Sequence, residues 1–135
     1  MEKINLMLIE DSSFGKLRAG KILGDNFNIH YININYHTSD PVKLIIRKIQ
    51  ELTAEGKAPR VLVTNLTVWT ASPTDGLTII KSVQELFPDI IIAVWTKHNL
   101  SDLRRNAIKL GAKIFFTKYS EEEKNMATKI MSMLK

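Results

Sequence analysis

Two adjacent carboxylates, Glu10 and Asp11, follow the short apolar run at 4–9 and lead directly into Ser12 and Ser13. Oxygen ligands placed this way, near a helix N-terminus, could hold Mg2+ together with water. An isolated Glu-Asp pair more ordinarily supplies a helix-capping acid and a solvated neighbour. Three further polar residues end or follow later apolar runs: the amide Asn65, the hydroxyl Thr96 and the ammonium Lys118. Lys118 could form a salt bridge to Asp11 or Glu10 and so replace a metal as the balancing charge.

Other site chemistries find little support. The chain has no cysteine, so it has no disulfide, thiolate nucleophile, cysteine-bound zinc or iron–sulfur cluster. His30, His37 and His98 are scattered without His-x-x-x-His spacing, so no zinc site is expected. The segment Glu10-Asp11-Ser12-Ser13-Phe14-Gly15 offers acids, not a glycine-rich cradle, to an incoming phosphate, which argues against a nucleotide or flavin. Trp95 sits inside an apolar strand and reads as core, whereas Trp69 is open to either a core or a ligand role.

The elements that must position these residues follow from hydrophobic patterning. Residues 4–9 suit a strand buried on both faces, and Ser12 or Ser13 can cap a helix that stops at Gly24. Gly15 and Gly20 should each cost that helix about 1 kcal/mol relative to Ala. From 27 to 36 apolar and polar residues alternate, with a phase slip at Tyr31-Ile32 that predicts an edge strand with a bulge or an early end. Val42, Ile45, Ile46, Ile49 and Leu52 repeat at helical spacing after Pro41, and Gly56 and Pro59 close that helix.

A third strand is expected over 60–66, then a loop over 68–74 containing Trp69 and Pro73. A helix follows with Ile79, Ile80, Val83, Leu86 and Phe87, ended by Pro88. Residues 90–95 give a fourth strand, 100–110 a helix stopped at Gly111, and 112–117 a fifth strand. Ser120-Glu121-Glu122-Glu123 reads as a capping box opening one last helix.

Strands alternating with helices predict an α/β fold: a (βα)5 doubly wound parallel five-stranded sheet covered on both faces. Ligands and chemistry gather at the carboxyl ends of such strands, where Glu10, Asp11, Asn65, Leu66, Thr96, Lys97 and Lys118 fall. A chain of 135 residues, 44% hydrophobic and 24% charged, suits one folded domain over 1–135 with no separate output domain. No apolar run approaches the ~20 residues that cross a bilayer. The N-terminus lacks a signal peptide's apolar core and cleavage site, so a cytoplasmic location is expected.

The ordered set of motifs resembles the receiver domains of response regulators. Met7-Leu8-Ile9-Glu10-Asp11-Ser12 is similar to their first strand and acidic pair, and Asp75-Gly76 to their Asp-Gly at the third helix. Thr96, Gly111-Ala112 fifteen residues after it, and Lys118 seven after Gly111 match the family's Thr/Ser, Gly-Ala and Lys. The resemblance implies a flavodoxin-like or CheY-like sheet of strand order 2-1-3-4-5, and that Glu10 and Asp11 bind Mg2+, an Asp ending the third strand takes a phosphoryl group from a phosphohistidine, and Thr96 and Lys118 sense it.

At that acceptor position the chain carries Asn65. A neutral amide is a weak nucleophile, so ordinary phosphorylation is not expected. Loss of one negative charge leaves Mg2+ weak at best, resting on Glu10, Asp11, water and the Asn65 carbonyl, and no cofactor is required. Asn65 to Gly76 spans eleven residues, about three more than usual for the family, which would bring Trp69 over or beside the pocket. Tyr119 stands where the family's Lys is usually followed by Pro, so no cis peptide is expected there. Asp75 as a substitute acceptor is the weaker reading, because Asp before a helix is a favoured N-cap. Thr96 could hydrogen-bond Asn65 and so mimic the inward Thr of an activated receiver.

Lys97, Arg104, Arg105, Lys109 and Lys113 concentrate much of the +5 net charge on or beside the expected fourth helix. In receivers the fourth-helix to fifth-helix face commonly binds partners or a second copy. An acidic protein partner, such as a histidine kinase or another signalling protein, or a homodimer is one reading; a solvated charged face is the other. Neither stacking aromatics nor a clear recognition helix accompanies the basic residues, so nucleic-acid binding is not expected. The functional expectation is a non-enzymatic, receiver-like protein of a two-component phosphorelay, acting through protein binding. The alternative is a small-molecule or metal sensor using the vacated pocket, and a phosphoryl acceptor at Asp75 comes third.

Overall fold

The computed structural model describes residues 3–10, 12–34, 37–68, 70, 72, 74–98 and 100–134. Five strands, β1 (Ile4–Ile9), β2 (Phe27–Ile32), β3 (Val61–Thr64), β4 (Ile91–Thr96) and β5 (Ile114–Thr117), pair in parallel in the order β2-β1-β3-β4-β5. The helices are α1 (Ser13–Leu23), α2 (Pro41–Ala54), α3 (Thr74–Leu86), α4 (Ser101–Leu110), α5 (Glu121–Lys124) and α6 (Met126–Met133). This is the expected CheY-like doubly wound sheet, with β1 and β3 side by side at the point where the winding reverses.

Successive strand residues point to opposite faces, so each buried strand feeds two cores. Leu6, Leu8, Val61, Val63, Ala93, Trp95 and Phe116 meet Ala19 and Leu23 of α1 and Met126 and Ile130 of α6. Met7, Ile9, Leu62, Ile92, Val94 and Phe115 meet Ile45 and Ile49 of α2, Ile79, Ile80 and Val83 of α3, and Ala107 of α4. Burial of each such large side chain contributes about 1.5–3 kcal/mol, which is why short strands with no polar face are stable here.

The helix ends carry their own signals. Ser12 caps α1 by accepting from the Gly15 N–H at 2.8 Å, and Gly24, at φ 71°, closes it. Asp40 caps α2 ahead of Pro41. Gly111, at φ 129°, ends α4 as expected.

β2 ends early at Ile32, one of the two outcomes that the phase slip predicts. Two sequence expectations are corrected. The final helix is two helices, because Asn125 departs from helical geometry and separates α5 from α6. The capping box is only half formed: Ser120 Oγ accepts from the Glu122 N–H, but Glu123 turns away to the Tyr119 N–H and to Arg18.

Candidate functional site

A cavity of about 260 Å³ opens at the carboxyl end of the sheet, among the loops that follow β1, β3, β4 and β5. Glu10, Asn65, Lys97 and Lys118 line it from the strand ends, Ser12, Gly15 and Arg18 from the start of α1, and Thr67, His98 and Tyr119 from the loops. Gly15 is needed for this approach: a Cβ there would lie 2.7 Å from the Glu10 side chain and from Ser12 Oγ.

Glu10 is 2% exposed and Lys118 8% exposed, and their carboxylate and ammonium form a direct ion pair across the mouth of the sheet. The Lys118 ammonium also lies 4.6 Å from the centre of the Trp95 ring. Trp95 is core, as its apolar strand implies, and one edge of it reaches the cavity. Its indole N–H is buried without a hydrogen-bond partner.

Asn65 leaves β3 with its side-chain Oδ1 accepting from the Leu66 N–H at 2.7 Å. Thr96 is fully buried at the end of β4 and is not among the residues that line the cavity; its hydroxyl accepts from the His98 N–H at 3.3 Å and makes no hydrogen bond with Asn65. The expected contact between Thr96 and the amide is therefore not formed. The Lys118–Tyr119 peptide is trans, and Tyr119 adopts a left-handed conformation at φ 60°.

That conformation is uncommon for a non-glycine residue and is held by partners the sequence reading missed. Glu123, 1% exposed, accepts the Tyr119 N–H at 2.6 Å and takes the Arg18 guanidinium through Nε and Nη2, the closest contact being 2.7 Å. Arg18 in turn lies 4.7 Å from the centre of the Tyr119 ring. The hydrogen bonds that Arg18 donates to Glu123 raise the Arg18 pKa above its ordinary value. Only the acid at position 123 had a sequence signal, and it pointed to a capping box.

Asp75 does not cap α3 as expected, because it lies within the helix's first turn. It is 3% exposed, and its carboxylate accepts from the Val68 N–H at 3.1 Å and from the Thr70 N–H at 2.6 Å and hydroxyl. Its work is to fasten the longer loop after β3. The neighbouring Gly76 lets α3 lie on that loop, since a Cβ would come within 2.5 Å of the Asn65 carbonyl oxygen and the Leu66 Cα. Asp11 and Trp69, expected as a metal ligand and as a cover over the pocket, lie outside the described residues.

Of the residues expected to hold Mg2+, the two that are described, Glu10 and Asn65, are each engaged by another group. Glu10 is paired with Lys118, the Asn65 Oδ1 is engaged by backbone, and no group of three His, Asp or Glu side chains converges among the described residues. Cationic groups instead dominate the described cavity lining, with Arg18, Lys97 and Lys118 facing one carboxylate.

The basic residues near α4 separate into different settings. Lys97 belongs to the cavity. Arg104 pairs with Glu122 at 3.0 Å and lies over the Phe115 ring, and this pairing holds the Glu122 carboxyl below its usual pKa. Arg105 pairs with Asp102 at 2.9 Å along the helix, while Lys109 is exposed. Lys113 lies at the opposite end of the sheet, just before β5. Leu100 and Ile108 add exposed apolar surface to α4.

Solved structures that match this chain include several response regulators. A response regulator from Thermotoga maritima matches at TM-score 0.71 and 17% identity over 98% of both chains. RcsB from Salmonella enterica serovar Typhimurium matches at TM-score 0.72 and 21% identity, over 98% of this chain and 68% of that one. HP1043, an orphan response regulator of H. pylori, matches at TM-score 0.67 and 16% identity over 98% of this chain and 97% of that one. No protein-family model and no curated protein matches the sequence. At these identities the likeness establishes the fold: this chain has the architecture of a receiver domain. Among the described residues no helix is long and apolar enough to cross a membrane.

Proposed function

We propose that this chain is a receiver-like module of a two-component signalling pathway that signals by binding another protein, without orthodox aspartyl phosphorylation. The observation that carries this reading is Asn65 just past the carboxyl end of β3, with its Oδ1 committed to the Leu66 N–H; on the receiver reading this amide stands at the position of the acceptor carboxylate. The Glu10–Lys118 ion pair supports it, because the ammonium already balances the charge that Mg2+ would otherwise meet. Such a module is not an enzyme, and its partner would be a histidine kinase or another signalling protein.

The surface proposed for that partner is the exposed side of α4 with the start of α5, where Arg104, Arg105 and Lys109 surround the apolar Leu100 and Ile108. Basic groups around apolar anchors suit an acidic protein surface. A second copy of the chain is the competing occupant.

Amide NMR spectra with Mg2+ and acetyl phosphate test the reading. The expected result is no shift of the Thr96, His98 and Lys118 amides beyond that given by the same concentrations of inorganic phosphate and acetate in the Mg2+-containing sample. A shifted set that decays as the donor is exhausted would overturn it.

A further inference from the structure

The cavity holds cationic hydrogen-bonding capacity that the fold does not consume. Arg18 gives Nε and Nη2 to Glu123 but has no hydrogen bond from Nη1 among the described residues. Lys97 forms no ion pair among the described residues. Both cations flank one aromatic ring, with Arg18 Cζ 4.7 Å and Lys97 Nζ 6.0 Å from the centre of Tyr119. All three residues line the cavity, together with Ser12, Thr67 and His98, which supply neutral polar groups. The described carboxylate beside them, Glu10, is already neutralised by Lys118.

We propose that this cavity reversibly binds a small oxyanion, a phosphate or carboxylate group free in solution, between Arg18 and Lys97 against Tyr119. Guanidinium and ammonium donors form charge-assisted hydrogen bonds that suit such groups, and no metal is needed. The space, about 260 Å³, lies below the range of about 300–1,000 Å³ typical of drug-sized ligands, so a small ion fits better than a nucleotide. The site differs from the phosphoryl position at Asn65 because its anchors sit on α1 and at the end of β4.

Occupancy would be felt at α5. Glu123 holds both Arg18 and the Tyr119 N–H, so an anion on Arg18 Nη1 lies one residue away from the contact that keeps Tyr119 in its left-handed conformation. The rim of the cavity and the start of the proposed partner face are therefore joined through one carboxylate.

The test is an amide NMR titration of the full chain with inorganic phosphate and, separately, with succinate, in EDTA and at constant ionic strength. Saturable shifts of the Tyr119 and Glu123 amides with at least one anion are expected, with Kd raised about tenfold in Lys97→Met. Lys97 is exposed, so this variant should keep the native spectrum elsewhere. Strictly linear shifts with both anions, equal Kd values in the two proteins, or saturation only when Mg2+ is added would each overturn the proposal. None of these outcomes bears on whether Asn65 can be phosphorylated, so the two readings fail separately.

Discussion

Glu10, leaving β1, and Lys118, ending β5, close on each other as a buried ion pair that spans the carboxyl end of the sheet. Between those two strands lie β3 and β4, so the pair joins elements that are not hydrogen-bonded neighbours. Lys118→Met keeps much of the side-chain volume but leaves Glu10 buried without its cation. Breaking such a pair costs about 3–5 kcal/mol. Chemical denaturation should show a loss of that order, and a loss under about 1 kcal/mol would mean that Glu10 finds another partner.

The glycines of α1 should respond in opposite directions. Gly20→Ala meets only the Tyr31 hydroxyl at 3.8 Å and should stabilise the protein by about 0.5–1 kcal/mol. Gly15→Ala drives a Cβ into Glu10 and Ser12 and should destabilise by about 1–3 kcal/mol. Thermal or urea unfolding of the two variants separates them by sign.

Asp75→Asn should loosen the loop it fastens. Replacing a buried carboxylate that receives the Val68 and Thr70 N–H groups should cost about 1.5–3 kcal/mol. Hydrogen exchange at Val68 and Thr70 should accelerate relative to the β-sheet amides, and unchanged protection would contradict the role assigned to Asp75.

Glu122 and His30 set two windows of pH dependence. The hydrogen bond from Arg104 depresses the folded-state pKa of Glu122, so its contribution is present above the ordinary 4.5 and is lost as pH falls through the folded value. Arg104→Met should therefore lower stability at pH 7 and matter least at the acid end. His30 is depressed from 6.5, first by desolvation, so the unfolded chain binds its proton more readily and stability falls as pH drops below 6.5. His30→Asn should flatten that slope in pH-resolved denaturation.

Patterning made the sheet legible because strands buried on both faces are almost wholly apolar, as in 4–9, where Asn5 is the one polar residue, and 90–95. The pairing of Lys118 with Glu10 or Asp11 could be anticipated from the resemblance to receiver domains, although choosing Glu10 required the structure. Arg18 and Glu123 were not legible: they are 105 residues apart and meet only once α1 and α5 lie on the same face. Asp75 misled for a similar reason, since local sequence describes a cap whereas the loop folded back onto it. The break at Asn125 carries no glycine or proline signal.

The claim that Asn65 removes aspartyl phosphorylation is tested most directly by intact-mass measurement after incubation with Mg2+ and acetyl phosphate, beside Asn65→Asp. The account predicts an unchanged mass for the native chain and, where the pocket keeps the chemistry of its fold, a labile phosphoryl adduct on the variant. A labile adduct on the native chain would contradict it and send the search for the acceptor to Asp75 and Asp11.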